Sequence, residues 1–338
     1  MKRILSICIL IACSLAQAND EVAGWQVAWD NDVWAKGKTD RWYTNGLRLT
    51  WTYNKPPQNE LSRLFLRGSE WFLWEEPTPT LSYSIGQAMY TPRDIRLPVP
   101  PIDDRPWGAF LYFGVTAHAY KGDEFRATEL KMGVTGKYAL GEQAQKLVHR
   151  ITSSAVPQGW DQQLKARLGV QLTHARVYRI GDTVANDKVA VQLGWGAGVG
   201  TLRARANIDA AIVVGSLGGR NSPLLIGNEG DFIAQDFNNR PQFREPFVFL
   251  AGNVTGVVYN YFLEGSTPYG RATIEPKRTY TVLTFGASLP LQRWLGSDWP
   301  RLVYSQSVRS AEFVSSTNAS REELRQRWGT LALHWDLD

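Results

Sequence analysis

The sequence predicts an all-β fold, a transmembrane antiparallel β-barrel of about twelve strands with a short helix in an extracellular loop. Three observations predict it: an N-terminal export signal, no later segment apolar enough for a transmembrane helix, and repeated runs of alternating apolar and polar residues. Strands that cross a membrane have to close into a barrel, because lipid cannot satisfy the hydrogen bonds of an open sheet edge.

The first eighteen residues have the pattern of a cleavable signal peptide. Lys2 and Arg3 precede an apolar run over residues 4–15, and residues 16–18 give the small-x-small sequence of a cleavage site. The apolar run is too short to span a bilayer as a helix.

Both cysteines, Cys8 and Cys13, lie inside this signal. The exported chain is therefore expected to have no disulfide and no thiol chemistry. The segment that ends at Cys13 also resembles a lipoprotein processing box, which is the alternative to cleavage after Ala18. Residues 19–338, about 320 residues, are expected to form a single barrel domain.

The composition favours a membrane interface over a nucleic-acid partner. The net charge of +5 falls to +3 without Lys2 and Arg3, and the chain has no basic tail or block. The 14 Trp, 13 Tyr and 13 Phe residues are the stronger signal, since aromatic side chains concentrate where membranes meet water. We expect a monomer in the bacterial outer membrane that binds no nucleic acid; a soluble periplasmic β protein is the alternative class.

Alternation with a period of two identifies the strands. In residues 189–197, Leu193 and Trp195 share one face with other apolar residues, and Gln192 and Gly194 lie on the other. Polar and small side chains on the second face suit a lumen. Residues 43–53 alternate in the same way, and their predicted lipid-facing side chains are Tyr43, Leu47, Leu49, Trp51 and Tyr53.

About twelve such runs can be counted, an even number that fits a closed single-chain barrel. They lie near residues 24–34, 41–53, 80–90, 106–119, 124–136, 164–179, 187–200, 203–216, 244–262, 269–289, 301–315 and 325–337. The four glycines between 194 and 200 share one strand face without a G-x-G-x-x-G pattern, so they indicate lumen residues rather than a nucleotide loop. Between the second and third runs, Leu61, Leu64 and Phe65 have helical spacing with Trp71 nearby, which predicts a short interfacial helix.

Strand parity gathers three loops at one end of this barrel. With the N-terminus in the periplasm, the first strand runs outward and ends near Asp32, and Thr44 follows at the start of the second strand. The loops over residues 91–105 and 137–162 also follow outward-running strands. Asn31, Asp32 and Thr44 are therefore expected to share an extracellular rim with both loops.

The last of these loops contains a predicted helix, residues 141–149, that carries Gln145 and His149. Their i, i+4 spacing places both side chains on one face of the helix. A histidine beside an amide that orders water is a candidate general base, and the alternative is a loop histidine that only packs. The other three histidines lie within strands and are interpreted as structural. The sequence has neither H-E-x-x-H nor G-x-S-x-G, so zinc proteases and serine-elbow hydrolases lack support.

The run Asp30-Asn31-Asp32 at the end of the first strand offers the hard oxygen ligands that Ca²⁺ prefers. Along an alternating strand, Asp30 and Asp32 project to one side and Asn31 to the other, unless the strand ends there. A simple turn is the alternative interpretation of this run.

The order and spacing of several short segments resemble the lipid A 3'-O-deacylase (LpxR) family of outer-membrane barrels. The matching segments are Asp30-Asn31-Asp32, Asp40-Arg41-Trp42-Tyr43-Thr44-Asn45-Gly46, Gly86-Gln87-Ala88-Met89-Tyr90-Thr91-Pro92, Asp104-Arg105-Pro106-Trp107-Gly108-Ala109, Gly141-Glu142-Gln143-Ala144-Gln145, His149 and Gly159-Trp160-Asp161. The ordered match covers residues 30–163, with general barrel character beyond.

The resemblance implies a twelve-stranded barrel that hydrolyses the ester holding the 3'-acyloxyacyl group of lipid A, with Ca²⁺ as cofactor. It implies that His149 is the general base that activates water and that Gln145 helps to order this water. Asp32 is implied as a calcium ligand, and Asn31 and Thr44 as residues that help to hold the metal or the oxyanion.

One position departs from the family pattern. Family members can carry a glutamate six residues after the histidine, and this chain has Ala155 there. Asp161, Asp30 and Glu142 are the candidate carboxylates to assist instead. Alternatively, the chain binds its metal more weakly than its relatives do, or it acts on a shifted substrate.

Lipid A, or whole lipopolysaccharide, is the implied substrate, and it occupies the outer leaflet beside the extracellular rim. Arg93 and Arg96 are the candidates to bind its phosphates, since a basic loop beside an anionic head group is electrostatically favoured. Two other functions stay open. One is a calcium-dependent outer-membrane phospholipase, which normally needs a serine nucleophile near the histidine. The other is a non-enzymatic pore or structural barrel, in which Asn31, Asp32 and His149 are only polar loop residues.

Overall fold

The computed structural model describes residues 22–32, 41–53, 55–73, 79–101, 103–180, 189–215, 245–271, 274–314 and 325–337. Twelve antiparallel strands close into one barrel, which confirms the fold class and the strand number. The expected signal peptide, residues 1–18, lies outside the described residues. Within the described ranges, no helix combines the length and the apolar character needed to cross a membrane.

The barrel strands are β1 Val22–Asn31, β2 Trp42–Tyr53, β3 Thr80–Thr91, β4 Gly108–Lys121, β5 Glu124–Thr135, β6 Leu168–Ile180, β7 Val189–Gly200, β8 Arg203–Gly215, β9 Phe247–Asn260, β10 Thr279–Pro290, β11 Arg301–Arg309 and β12 Gln326–Asp336. The described α-helices are α1 Glu60–Ser69, α2 Gly141–Thr152, α3 Tyr261–Glu264 and α4 Gln292–Leu295, and 3₁₀ turns at Gly136–Ala139 and Trp160–Gln162 flank α2. The run predicted over 269–289 enters the barrel only at Thr279, because Glu275–Pro276 pairs with Phe313–Val314 in a separate ribbon.

Each strand pairs with its neighbours in sequence, and β12 pairs with β1 to close the barrel. Gly24 pairs with Asp336, so both ends of the barrel chain lie at one end, which we call the proximal end. The ends of β1, β3 and β5 consequently meet at the opposite, distal end, as strand parity predicts.

Alternation along the strands separates an apolar outer face from a polar lumen. On β7, Leu193 and Trp195 are exposed on the outer face, and Gln192 is buried in the lumen. The glycines of this strand lie on the lumen face, as predicted, and Gly196 there lies against the side chain of Asn207.

The middle of the lumen contains a buried network of charges from two strands, joined by a threonine from a third. Glu129 on β5 accepts from Arg48 Nη2 on β2 at 2.7 Å and pairs with Lys131 Nζ at 3.2 Å. Thr116 on β4 also donates to Glu129, at 3.3 Å. Buried charges are tolerated only when they are paired and hydrogen-bonded. This network meets that condition and connects β2, β4 and β5 across the barrel interior.

Toward the distal end, aromatic side chains extend into the lumen and line a small cavity there. The rings of Tyr90 and Phe262 lie 4.5 Å apart, Arg203 Nη2 donates to the Tyr90 hydroxyl at 2.6 Å, and the Arg105 guanidinium lies 4.5 Å from the Tyr90 ring. The buried members of this cluster are Tyr43, Ala88, Tyr90, Phe110, Tyr112, Leu164, Leu202, Tyr261, Phe262, Tyr280, Val282 and Trp328. At this level, side chains occupy the barrel interior.

The predicted helix between the second and third strands is α1, packed on the outer face near the proximal end. Its N-cap Asn59 accepts from the Ser62 nitrogen at 2.8 Å, and Ser62 Oγ lies 2.6 Å from the Tyr83 hydroxyl. Phe65 is buried against the wall, whereas Leu64 is 65% exposed. The helix is therefore amphipathic, with an apolar side chain directed away from the barrel.

Three exposed tryptophans lie in connections at the proximal end. Trp71 follows α1 and is 91% exposed, and Trp294 and Trp299 lie in and after α4 with 58% and 51% exposure. Exposed tryptophans at one end of a barrel are typical of the aromatic belt at a membrane interface.

The strand histidines His118, His174 and His334 are buried within β4, β6 and β12. His174 Nδ1 lies 2.9 Å from a threonine hydroxyl on β5. These positions are consistent with the structural role expected for them.

Candidate active site on the outer wall of the barrel

A β-bulge at the distal end of β2 places Thr44 at the rim. Tyr43 and Asn45 both have partners on β3, and Thr44 between them is the extra residue. The bulge reverses the alternation, so Tyr43 points into the lumen and its hydroxyl donates to Asp30 Oδ2 at 2.5 Å. The prediction that Tyr43 faces lipid is therefore wrong. Thr44 Oγ1 lies 2.5 Å from Thr91 Oγ1 at the end of β3.

Asn31 belongs to a group of polar side chains on the outer face of β1 and β2. Asn45 Oδ1 accepts from Trp29 Nε1 at 2.7 Å and from Asn31 Nδ2 at 3.3 Å. An indole nitrogen can only donate, so this contact fixes which end of the Asn45 amide faces Trp29. Asn31 consequently presents its nitrogen to Asn45 and turns its Oδ1 away from it.

Asp30 and Asp32 lie in different environments because β1 ends at Asn31. Asp30 points into the lumen, where Oδ1 accepts from Thr330 Oγ1 at 2.7 Å. Asp32 lies just past the strand, is 1% exposed, and accepts from the Arg41 backbone nitrogen at 2.7 Å. The condition that the strand ends at this point is met.

Helix α2 packs against the outer face of β3 and β4, and Gly141 permits its close approach. A Cβ atom at Gly141 would lie 2.5 Å from Trp160 Cη2 and 2.7 Å from Ala109 Cβ, distances that real side chains do not adopt. The buried members of this interface are Met89, Ile95, Trp107, Ala109, Ala139 and Trp160. The helix ends where Ser153 adopts a left-handed conformation with φ 54°.

Gln145 and His149 both face the barrel wall from α2, as their spacing predicts, and are 2% and 6% exposed. Trp160 Nε1 donates to Gln145 Oε1 at 2.8 Å. This contact orients the amide, since the indole offers only a donor. The Gln145 Nε2 nitrogen is buried and has no hydrogen-bond partner within the described residues, so it is a donor aimed into the site.

The His149 ring is oriented by the backbone carbonyl of Ala155, which lies 2.5 Å from Nδ1. A carbonyl oxygen only accepts, so Nδ1 carries the proton and Nε2 is the acceptor nitrogen of the neutral ring. Position 155, where relatives can have a glutamate side chain, therefore contributes its main chain to the histidine.

The three carboxylates considered as substitutes for that glutamate lie elsewhere. Asp30 is in the lumen, Glu142 pairs with Lys146 Nζ at 2.5 Å along α2, and Asp161 is exposed in the 3₁₀ turn after α2. In the described part of the chain, the group that orients His149 is thus a carbonyl rather than one of these carboxylates.

The predicted site residues fall into two groups on one wall of the barrel. Asn31, Asp32 and Thr44 lie at the distal ends of β1 and β2, whereas Gln145 and His149 lie on α2 above β3 and β4. The contact between the Thr44 and Thr91 hydroxyls links β2, which carries part of the first group, to β3, against which α2 packs.

The oxygen donors at this rim are of the kind that Ca²⁺ prefers. No cluster of three or more His, Cys, Asp and Glu side chains occurs among the described residues. Asp32 has a buried carboxylate just past β1, Asn31 has an amide oxygen at the end of β1, and Thr44 has a hydroxyl near the start of β2. Carboxylate, amide and hydroxyl oxygens are ligands of the kind that Ca²⁺ takes, so the chemistry of these three residues fits that ion.

Arg93 and Arg96 differ in their engagement. Arg96 makes a bidentate pair with Asp94, with Nε–Oδ1 and Nη2–Oδ2 distances of 2.8 Å, and this pair lowers the pKa of Asp94 to about 2. Arg93 Nη2 is buried and has no hydrogen-bond partner within the described ranges. Of the two, Arg93 is the one whose guanidinium has an unused hydrogen-bond donor among the described residues.

The loop that carries Arg93 is held by Asp104. Asp104 Oδ2 accepts from the Arg93 backbone nitrogen at 2.6 Å, and Oδ1 accepts from Trp42 Nε1 at 3.2 Å. Burial raises the pKa of Asp104, although these hydrogen bonds oppose the rise. The Asp104 segment of the family pattern therefore connects the β3–β4 loop to the start of β2.

Sequence reasoning missed the roles of Trp160, Asn45 and Thr91. Each lies inside a segment that carried the resemblance, but nothing in those segments indicates which side chains face the site. The orienting function of Trp160 depends on how the chain after α2 returns to the wall, which no local pattern records.

A closed twelve-stranded barrel with an apolar outer face defines the class of outer-membrane β-barrel proteins. The sequence matches the family model described as "Outer membrane protein LpxR" over residues 4–337, so the chain belongs to the LpxR family.

The fold is similar to that of LpxR from Salmonella typhimurium, at 18% identity over 93% of this chain and 100% of that chain, with a TM-score of 0.72. The β domain of the Bordetella autotransporter BrkA covers 94% of this chain and 100% of its own at 10% identity, with a TM-score of only 0.38. No curated protein sequence matches the chain.

Proposed function

We propose that the protein hydrolyses the ester that links the 3'-acyloxyacyl group to lipid A. The observation that carries the proposal is that Gln145 and His149 face the outer wall of the barrel rather than its lumen. A site between a helix and the outer wall adjoins the lipid phase, from which a membrane lipid can approach it from the side. Family membership supports the choice of lipid A.

The topology supports an active site at the extracellular leaflet. With the chain termini in the periplasm, the distal rim of the barrel lies at the outer leaflet, which contains lipid A. The exposed tryptophans at the proximal end then lie at the periplasmic interface.

In the proposed reaction His149 acts as general base through Nε2. It takes a proton from a water molecule, and the resulting hydroxide attacks the ester carbonyl carbon. The tetrahedral oxyanion collapses with cleavage of the bond to the 3' oxygen of the sugar, and the His149 imidazolium returns the proton to that oxygen. The products are the free acyloxyacyl acid and lipid A with a 3'-hydroxyl.

Two neighbours assist this step. The Ala155 carbonyl holds the imidazole in the tautomer that the step needs and stabilises the imidazolium. The Gln145 Nε2 donor, held in place by Trp160, orders the water or the oxyanion. A general base of this kind contributes typically about 10²–10⁴-fold to a rate.

Asp32 is the proposed calcium ligand, with Asn31 and Thr44 as neutral oxygen donors. When bound, Ca²⁺ supplies electrostatic stabilisation of negative charge that develops on the ester oxygen. Asp32→Asn is expected to weaken calcium-dependent activity at least tenfold, because it removes the one carboxylate of this donor set. Asp30→Asn is the matched control, since that carboxylate lies in the lumen. Equal calcium dependence of both variants would remove Asp32 from the metal site.

The proposal is tested by expressing the chain in cells and analysing their lipid A by mass spectrometry. Loss of the mass of the 3'-linked acyloxyacyl group is expected. An unchanged lipid A profile from folded, surface-inserted protein contradicts the proposal. Assay of the same preparation on glycerophospholipid vesicles distinguishes the phospholipase alternative.

The pore alternative makes a different prediction. Aromatic side chains occupy the distal lumen and a charge network occupies the middle. We therefore expect a monomeric barrel that gives no stable conductance in planar bilayers. Stepwise single-channel currents without lipase activity would favour the pore.

A further inference from the structure

Helix α2 presents three distinct sectors around its axis. Residues advance by about 100° around an α-helix, so Gly141, Gln145 and His149 form one narrow sector, which faces the barrel wall. The two flanks beside this sector differ in chemistry.

One flank is apolar and exposed. It comprises Ala144, Leu147, Val148 and Ile151, which fall within about 100° of arc on one side of the site-facing sector. Leu147 and Val148 are 36% and 38% exposed, and Ile151 is 71% exposed. A helix in water rarely leaves three large apolar side chains together on its surface.

The other flank is polar and charged. Glu142, Lys146 and Arg150 follow one another at four-residue spacing, and Lys146 pairs with Glu142. The site-facing sector with Gln145 and His149 thus lies between an apolar flank and a charged flank.

The apolar flank continues onto the outer face of the barrel. Ala144 packs against the same buried cluster as Leu111, which is an outward-facing residue of β4. Beyond the helix, the Gln158 backbone nitrogen donates to the Ile95 carbonyl oxygen at 2.9 Å. This hydrogen bond joins two loops that expose further apolar side chains. The exposed surface of α2 is consequently continuous with the surface that meets lipid.

We propose that the apolar flank of α2 is a docking site for the acyl chains of outer-leaflet lipid, with the charged flank at the level of the lipid phosphates. The helix then lies in the leaflet like an interfacial amphipathic helix, buried by about 5–10 Å. Building on the proposed function, the flank seats the acyl chains of the substrate, and the ester at their polar end lies beside His149. The two unlike flanks therefore set the direction from which the lipid approaches the site, with its acyl chains on the apolar flank and its phosphates on the charged flank.

The depth of the helix tests this inference without any activity measurement. A single cysteine is introduced by Ile151→Cys or, as the matched control, by the neighbouring Arg150→Cys on the charged flank, with Cys8 and Cys13 absent. Each variant is labelled with an environment-sensitive fluorophore in phosphatidylcholine vesicles that contain lipids brominated at mid-chain. We expect at least threefold stronger quenching at position 151 than at 150. Equal quenching by aqueous iodide at both positions would overturn the inference.

A kinetic measurement tests the role in substrate binding. Ile151→Asn is expected to raise the KM for lipid A in vesicles about tenfold with little change in kcat. Leu64→Asn is the control, since Leu64 is similarly exposed on α1 near the opposite end of the barrel. An unchanged KM for Ile151→Asn overturns the docking site while deacylation stands. Absence of deacylation in the wild type overturns the proposed function, and the quenching result still decides the depth of the helix.

Discussion

The indole nitrogen of Trp160 donates to Oε1 of Gln145 at 2.8 Å in a fully buried position. Because tryptophan cannot accept, the amide has one orientation, and its Nε2 nitrogen is directed into the site beside the histidine face of α2. A residue without any proposed contact to substrate thus determines which end of Gln145 the reaction meets.

Replacing Trp160 with phenylalanine removes this hydrogen bond and keeps most of the ring. We expect the amide to sample both orientations and kcat to fall about tenfold, with a loss of about 1–3 kcal/mol in stability from the buried hydrogen bond. Trp107→Phe is the control, since the Trp107 ring lies 5.0 Å from the Trp160 ring at a tilt of 51°, and its Nε1 has no hydrogen-bond partner within the described ranges. Equal kcat values for the two variants would contradict the orienting role of Trp160.

The docking of α2 depends on Gly141. Gly141→Ala adds a Cβ at 2.5 Å from Trp160, so we expect the helix to move off the wall, with reduced activity and faster limited proteolysis around residues 136–160. Gly68→Ala in α1 is the control, because no atom lies within 4 Å of its added Cβ. Full activity and unchanged proteolysis of Gly141→Ala would show that the helix tolerates a wider spacing.

The two candidate phosphate-binding arginines should behave differently. Arg93→Gln is expected to raise the KM for lipid A about tenfold, and Arg96→Gln by less than threefold, because Arg96 is paired with Asp94. The pKa of Asp94 is lowered from 3.8 to about 2, so this pair forms fully above pH 4 and is lost only as the pH falls through 2. Arg93→Gln should therefore raise the KM more than Arg96→Gln does in assays at every pH from 5 to 9. A larger effect at Arg96 would contradict it.

The lumen network should contribute to the stability of the barrel. Glu129→Gln leaves the charges of Arg48 and Lys131 unbalanced in the interior, and breaking a buried ion pair in this way costs about 3–5 kcal/mol. Asp123→Asn removes an exposed partner of Arg179 and should cost less than about 1 kcal/mol. Urea unfolding in vesicles, followed by tryptophan fluorescence, measures both. Similar losses would indicate that water reaches the lumen network.

Much of the barrel could be predicted because its strands obey a simple rule. Lipid on one side and the lumen on the other impose the alternation that separates Gln192 from Leu193. The sequence of each strand therefore shows it. The rule failed at Tyr43, where the bulge at Thr44 adds one residue and reverses the faces beyond it. A single sequence contains no signal for a register shift that depends on the neighbouring strand.

Within the site, residue spacing along α2 predicted which side chains share a face, and it predicted nothing beyond the helix. The shared face of Gln145 and His149 follows from four residues of separation, and the structure places both against the wall. The contact between the Ala155 carbonyl and His149 could not be predicted, since every residue has a backbone carbonyl and the residue type does not show which one is used. The absent glutamate suggested another assisting carboxylate, weaker metal binding or a shifted substrate, whereas the same position orients the histidine through its main chain.

The central claim is that His149 activates water for hydrolysis of the 3'-linked ester. The most direct test compares purified wild-type protein with His149→Asn on defined lipid A in the presence of Ca²⁺, with the released acyloxyacyl acid measured by mass spectrometry. His174→Asn, at a buried strand histidine, is the control for folding. Release by the wild type and the control, with a loss of about 10²-fold or more in His149→Asn, is the predicted result. Undiminished release by a folded His149→Asn variant would contradict the account.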